Sequence, residues 1–345
     1  MKTSFWQRLQ TGLFTLIYLT ALGVAATLIF EALRMAQQPI SAATAPTLTA
    51  AAATPSPGSV TMALLPTVAL PTPVPTVAAT PEPAVVHPKS GRYIAVWLPE
   101  YLSPGVLATF EANKDIIDEI SPFWYSTDSS GRIFGTRNDA LVRTAHENNI
   151  LVIPTIHNVA GNSAITAVEN LLADPQRRAR HVQNIVDEVL ARNYDGIDID
   201  YEALGPGYRD EFSAFIIDLN QALKAHDKLL TVAVHGKTSD WGGLGGFQDW
   251  RVMNEHTDRV RIMTYDYSWR GGSAGPIAPL YWVSAVAEYA RSVVDPAKVM
   301  IGVPFYGYDW PANGADARAL PWSDIEDLIS STGVTVNLLQ RNSQG

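Results

Sequence analysis

Between Asp195 and Glu202 four carboxylates recur at the spacing D-x-x-D-x-D-x-E, separated by Gly196, Ile197, Ile199 and Tyr201. Alternation of this kind reads as a β-strand, because successive side chains of a strand point to opposite faces. Asp198, Asp200 and Glu202 then share one face, and Ile197, Ile199 and Tyr201 share the other. The flanking runs, Ile185–Leu190 before and Glu211–Ile217 after, have the apolar spacing of core-packing helices. A strand between two such helices is interior, and a solvated edge strand fits less well. A calcium loop would want polar or glycine spacers in an irregular turn, and isoleucine spacers argue against it. Three acids on the inward face of a buried strand are costly unless chemistry uses them.

The spacing suggests the use. At about 3.3 Å per residue, Asp200 and Glu202 have Cα atoms about 6.6 Å apart on one face. Carboxylates that close do not all ionise freely, so a proton is held within the group and one pKa rises. A carboxyl that keeps its proton near neutral pH is a general acid. Glu202 is last in the row, at the strand's C-terminal end, where it reaches a substrate. Asp198 and Asp200 lie deeper and tune it.

From Arg92 onward, short apolar runs alternate with helical stretches, which predicts a parallel α/β fold of the TIM (β/α)8 type. Strands are expected at Tyr93–Leu98, within Ile116–Tyr125, at Ile150–His157, along the acidic row, and at Leu229–His235, Val260–Tyr265 and Val299–Phe305. Helices are expected from Pro104, over Asn138–Asn149, from Asp174-Pro175 to Asn193, and over Tyr208–His226 and Pro279–Val294. Active sites of such barrels sit at the C-terminal strand ends. Those ends carry Glu100 and Tyr101, Trp124 and Tyr125, His157 and Asn158, Glu202, His235, Tyr265 to Tyr267, and Tyr306 with Tyr308. An aromatic cleft with central carboxylates suits a polysaccharide, whose rings offer apolar faces and whose hydroxyls offer hydrogen bonds. His157 and His235 lack metal-ligand spacing, so no metal and no cofactor are expected.

The rest of the chain bounds the setting. A net charge of −9 argues against a nucleic-acid partner, and the absence of cysteine excludes a disulfide framework. Leu9 to Phe30 is 22 residues without a charge, preceded by Lys2 and Arg8. Its length fits a membrane-spanning helix, and the positive-inside rule places the rest of the chain outside the cell. A cleaved signal peptide, giving a secreted protein, is the alternative. Residues 37–89 are rich in Ala, Thr and Pro and read as a disordered linker. The expected organisation is an anchor over 1–36, a linker over 37–89 and a catalytic domain over 90–345, in a protein that is a monomer.

Asp195–Glu202 resembles the signature of glycoside hydrolase family 18, the chitinase-like enzymes. Three further stretches resemble the branch of spore-germination and cortex-lytic glucosaminidases: Ser121–Tyr125, Met263–Tyr267 and Gly302–Trp310. The resemblance covers roughly Arg92 to Trp310. It implies substrate-assisted retaining hydrolysis of a β-linked N-acetylglucosamine polymer, chitin or peptidoglycan glycan. Glu202 would be the acid, Asp200 would orient the substrate's acetamido group, Asp198 would share its proton, and Tyr265 would bond the acetamido oxygen. Asp195, Trp124, Tyr125, His157, Asn158, His235, Met263, Asp266, Tyr267 and Tyr306 are the expected substrate-binding set. The family's Ser-x-Gly-Gly on strand three is replaced by Ile153-Pro154-Thr155-Ile156-His157-Asn158. A non-hydrolytic carbohydrate-binding member of the fold and an inactive fragment are the alternatives. Only seven strands are expected. Residues 311–345 read as the start of an α+β insertion, with a helix at Ser323–Ser330 capped by Ser323 and a strand at Val334–Leu339. The chain therefore reads as a barrel truncated before its eighth strand.

Overall fold

The computed structural model describes residues 88–99, 104–158, 161–240, 243–312 and 317–333, all within the unit Pro81–Gly345. The expected membrane span, the linker up to residue 87, Glu100 and Tyr101, and the strand at Val334–Leu339 lie outside them. Among the described residues no helix is long and apolar enough to cross a membrane.

Strands and helices alternate as the sequence predicts. They run β1 (Ala95–Leu98), α1 (Pro104–Asn113), β2 (Glu119–Thr127), β3 (Ile133–Gly135), α2 (Asp139–Glu147), β4 (Leu151–Val152), β5 (Thr155–His157), α3 (Asn162–Ala173), α4 (Pro175–Ala191) and β6 (Gly196–Asp200). Then come α5 (Arg209–Lys224), β7 (Leu229–His235), α6 (Trp250–His256), β8 (Arg259–Met263), α7 (Leu280–Val293), β9 (Val299–Ile301), β10 (Tyr306–Asp309), β11 (Arg318–Pro321) and α8 (Trp322–Thr332). One sheet runs β1-β2-β5-β6-β7-β8-β9, every pair parallel, with β6 in the middle. The sheet is curled: Arg259 and Arg261 on β8 reach Glu119 on β2, four places away in the strand order. This is the curled parallel sheet of a TIM-like barrel. Among the described residues β1 and β9 end the sheet and do not pair with each other.

Several boundaries differ from expectation. Strand three is two pieces, β4 and β5, because Pro154 between them has no N–H to give a ladder. The acidic strand stops at Asp200, so Glu202 stands on the loop beyond it. Strand seven is only Val299–Ile301; Tyr306–Asp309 leaves the barrel and pairs antiparallel with β11. Helix α8 begins at Trp322 after Pro321, and Ser323 does not cap it. Helix α6 was missed; Asp249 caps it by accepting from the N–H groups of Arg251 and Val252.

The two faces of β6 have different neighbours. Ile197, Ile199 and Tyr201 point to the helices and are at most 1% exposed. The Tyr201 ring stacks on Phe215 of α5 and His181 of α4 at centroid distances of 5.9 and 6.3 Å. Gly196 is fixed by crowding, since a Cβ there would stand 2.2 Å from the Leu229 carbonyl oxygen. Such a contact would force β6 and β7 apart.

His181 is buried behind the acidic strand. Its Nδ1–H donates to the Gly131 carbonyl at 2.9 Å, so its Nε2 accepts from the Tyr201 hydroxyl at 2.7 Å. Burial pulls its pKa down to about 4. The unfolded chain therefore binds a proton that the folded chain refuses between about pH 6.5 and pH 4. Stability is complete above that window and falls as pH drops through it, by about 3 kcal/mol at the acid end. Urea unfolding at pH 7, 5.5 and 4.5 should show this loss, and His181→Gln should flatten the slope.

Candidate active site

The acidic row is built strand by strand. Parallel register sets Asp198 beside Thr155 of β5 and Thr231 of β7, and Asp200 beside His157. Asp198 is fully buried and accepts from Thr231 Oγ1 at 2.6 Å, Trp97 Nε1 at 3.0 Å and Thr155 Oγ1 at 3.1 Å. Burial raises its pKa, and these three bonds oppose the rise. Asp200 is 1% exposed, and its Oδ1 has no hydrogen-bond partner among the described residues. Its pKa is pushed well up, first by burial and then by the charges of Glu202 and Asp198, and its carboxyl donates to that of Glu202. Glu202 is only partly buried. Burial raises its pKa as well, opposed by His235 and by the bond from Asp200. Burial thus favours a proton on the Asp200–Glu202 pair, of which Glu202 is the partly exposed member.

Both backbone groups of Glu202 are tied down. Its N–H donates to Asn158 Oδ1 at 2.8 Å, and its carbonyl accepts from His235 Nε2 at 2.7 Å. Gln248 in turn accepts from the His235 N–H at 2.9 Å. A loop residue is therefore held almost as firmly as a strand residue.

The opposite wall follows β8. Met263 ends the strand in register with His235. The Tyr265 ring meets Trp97 and Tyr306 edge-on at centroid distances of 6.4 and 6.2 Å. Gly302 makes room for it, since a Cβ there would lie 2.9 Å from the ring. Burial, followed by the charges of Asp200, Glu202, Asp266 and Asp198, raises the Tyr265 pKa and keeps it a phenol that can donate. Asp266 takes a left-handed backbone, φ 57°, and its carboxylate accepts from the hydroxyls of Tyr306 and Tyr308. Tyr267 is 46% exposed, with its ring against Tyr281 and Trp282.

The structure gathers Asp198, Asp200, Glu202, His157, His235, Met263, Tyr265, Asp266, Tyr267 and Tyr306 at one end of the sheet. Four expected residues are placed differently. Asp195 precedes β6, at the far end of the strand, where it accepts from the Val152 N–H at 2.7 Å and pairs with His146 at 3.0 Å. It is a strand pin, remote from the site. Trp124 and Tyr125 are buried against Tyr194 in the layer between sheet and helices. An irregularity in the β2–β5 register between Phe123 and Tyr125 turns Tyr125 outward, and Phe123 faces His157 instead at 5.6 Å. Asn158 is 1% exposed and supports Glu202 rather than facing a ligand.

Trp97, Thr155, Thr231 and Arg261 were not anticipated. Strand parity could have found three of them: Thr155 shares a face with His157, Thr231 with His235, and Arg261 with Met263. Among the described residues no three His, Asp or Glu side chains are grouped as a metal ion requires.

The family model described as "Glycosyl hydrolases family 18" matches residues 133–342. The chain is 32% identical over 238 residues to the glycosylase YdhD of Bacillus subtilis (strain 168), covering 66% of this chain and 55% of that protein. It is 30% identical over 162 residues to the cortical fragment-lytic enzyme of Bacillus anthracis, covering 47% and 37%. The chain thus spans about half the length of the curated relatives it matches. The solved structure of YdhD superposes with a TM-score of 0.62 at 30% identity, covering 64% of this chain and 76% of that one. A chitinase from Chromobacterium violaceum ATCC 12472 superposes with a TM-score of 0.64 at 25% identity, covering 71% and 78%.

The clamp on Glu202 can be measured. Asn158→Ala removes the acceptor of the Glu202 N–H, and leaving such a donor without a partner costs about 1–3 kcal/mol. Denaturant unfolding should register a loss of that size, with a larger fall in turnover than in substrate affinity.

Proposed function

The chain belongs to the glycosyl hydrolases family 18, and on that premise we propose that it hydrolyses β-linked N-acetylglucosamine polymers with retention, assisted by the substrate's own acetamido group. The observation that carries this reading is the row Asp198, Asp200 and Glu202, buried except at Glu202 and accompanied by the Tyr265 phenol. In the proposed reaction Asp200 passes its proton to Glu202, and Glu202 gives it to the glycosidic oxygen as the bond to the anomeric carbon breaks. The acetamido carbonyl oxygen attacks that carbon from the opposite face and closes an oxazolinium ring. Asp200 turns its carboxylate to the acetamido N–H and stabilises the growing positive charge. The Tyr265 hydroxyl donates to the acetamido oxygen and aims it. Glu202, now ionised, takes a proton from the water that reopens the ring, and the original anomeric configuration returns.

The names of the relatives suggest two sources of such a polymer, chitin and the glycan of peptidoglycan. Both carry the 2-acetamido group that the mechanism needs. We further propose that the catalytic head works outside the membrane, tethered through residues 1–89. Lys2 and Arg8 before the uncharged stretch Leu9–Phe30 support that orientation. Protease added to intact cells should release an active soluble head, and protection of the head until lysis would reverse the assignment.

Two measurements test the chemistry. Glu202→Gln keeps the shape and removes the acid, so kcat should fall by at least 10²-fold, the lower part of the range for general acid catalysis. Folding and oligosaccharide affinity should be nearly unchanged. A fully de-acetylated oligosaccharide should bind and not be cleaved, and equal rates on acetylated and de-acetylated substrates would reject acetamido participation. Digesting chitin and peptidoglycan side by side, with products read by mass spectrometry, identifies the polymer.

A further inference from the structure

Beneath the acidic row the barrel interior holds a second set of charges that the reaction above does not use. Arg261 on β8 is 3% exposed, and its Nη1 lies 3.5 Å from Asp198 Oδ2. The same nitrogen donates to Ser121 Oγ at 2.5 Å, and Nη2 bonds Glu119 Oε1. Glu119 is fully buried; its other oxygen takes Arg259 Nη1 at 2.7 Å and the Tyr93 hydroxyl at 2.8 Å. The Arg261 guanidinium also lies 5.8 Å from the Trp97 ring centroid, and Trp97 Nε1 is itself a donor to Asp198.

The charge balance of this set is informative. Two cations, Arg259 and Arg261, stand with two acids, Glu119 and Asp198. Glu119 is engaged by both arginines, so one positive charge remains, and Asp198 is the carboxylate beside it. If Asp198 were protonated, a buried cation would be left uncompensated, which is strongly unfavourable. Burial pulls the Arg261 pKa down to about 9, which still leaves it charged at neutral pH. The other groups facing Asp198 are Trp97, Thr155 and Thr231, all donors, with Asp200 next on its own face and Tyr265 beyond β8.

We propose that Arg261, braced by Glu119, is a positioning residue of the reaction: it holds Asp198 as a fixed carboxylate and so confines the mobile proton to Asp200 and Glu202. This rests on the hydrolytic reading given above. Without Arg261, Asp198 competes for the proton, and the acid form of Glu202 becomes scarcer. An opposite charge within 4–6 Å moves a carboxylate by about one unit or more. Loss of the cation raises the proton affinity of the row, so the acid limb of the kcat–pH profile moves to higher pH.

The test uses the full chain. Arg261→Gln leaves Glu119 Oε1 without its donor and could unfold, so Glu119→Gln/Arg261→Gln serves as the neutral pair, and Arg261→Lys keeps the charge. The neutral pair should melt cooperatively, lose at least tenfold in kcat with KM within about twofold, and shift its acid limb upward by about one pH unit. Arg261→Lys should restore the limb. A folded neutral pair whose kcat–pH profile superimposes on the wild type overturns the proposal. Carboxyl 13C NMR gives a readout without turnover, with the Asp198 signal assigned by its loss in Asp198→Asn. In the wild type that signal should stay at the ionised position through neutral pH, and titration near neutral pH also overturns the proposal. A wild type that cleaves no acetylated glycan defeats the hydrolytic reading, and the NMR titration still decides the role of Arg261.

Discussion

A buried carboxylate with no escape to solvent is the constraint from which the rest of the structure follows. Asp198 sits on the central strand, inside the curl of the sheet, and must be surrounded by donors. β1 contributes Trp97, β5 contributes Thr155, β7 contributes Thr231 and β8 contributes Arg261. Four strands are thus committed to one side chain. Their register is set by it as much as by backbone pairing, because a slip of one residue would turn every donor outward.

The outer face of the same strand is an apolar wall, and the loop beyond it is held by side chains. Tyr201 lies between Asp200 and Glu202 in sequence and points the other way, into a stack with Phe215 and His181. Its burial fixes the backbone direction at the point where the strand ends. Asn158 and His235, from the strands on either side, then take the two backbone groups of Glu202. Glu202 therefore combines a rigid main chain with a partly exposed side chain, as a group that must meet a substrate requires.

Much of this was legible in the sequence. The alternation in Asp195–Glu202 reported the central strand, its two faces and the depth order of the acids. The strand–helix rhythm reported the parallel sheet. The errors share a cause: they concern which way a residue points at an irregularity. Trp124 and Tyr125 follow a slip in the β2–β5 register that no composition rule shows, and Tyr125 is turned into the helix layer. Asp195 belongs to the motif by spacing, yet it stands before the strand and binds the Val152 N–H at the far end. Asn158 looks like a ligand group until its carboxamide oxygen is seen on the Glu202 N–H. The donors around Asp198 were missed for another reason. Thr155 and Thr231 follow from strand parity yet carry no motif, and Trp97 and Arg261 reach Asp198 only because the sheet curls.

The order of the three acids is not interchangeable. Along the row, fixed partners thin out as the mouth approaches. Asp198 has three hydrogen bonds and a cation, Asp200 has Glu202 and an oxygen without a partner among the described residues, and Glu202 has the Asp200 carboxyl and two partners on its backbone. Proton affinity in such a series is set by what surrounds each carboxyl. The deepest member is the least able to release or rotate, and the outermost is the most able. A glutamate at the outer position adds one methylene of reach beyond the end of the strand, where the backbone itself cannot move. A glutamate in place of Asp198 would have to fold that extra length among Thr155, Thr231 and Trp97, and an aspartate in place of Glu202 would stop short of the mouth. The motif therefore runs from a carboxyl fixed by four strands to one that is partly exposed beyond the strand, and the longer acid stands at that outer position.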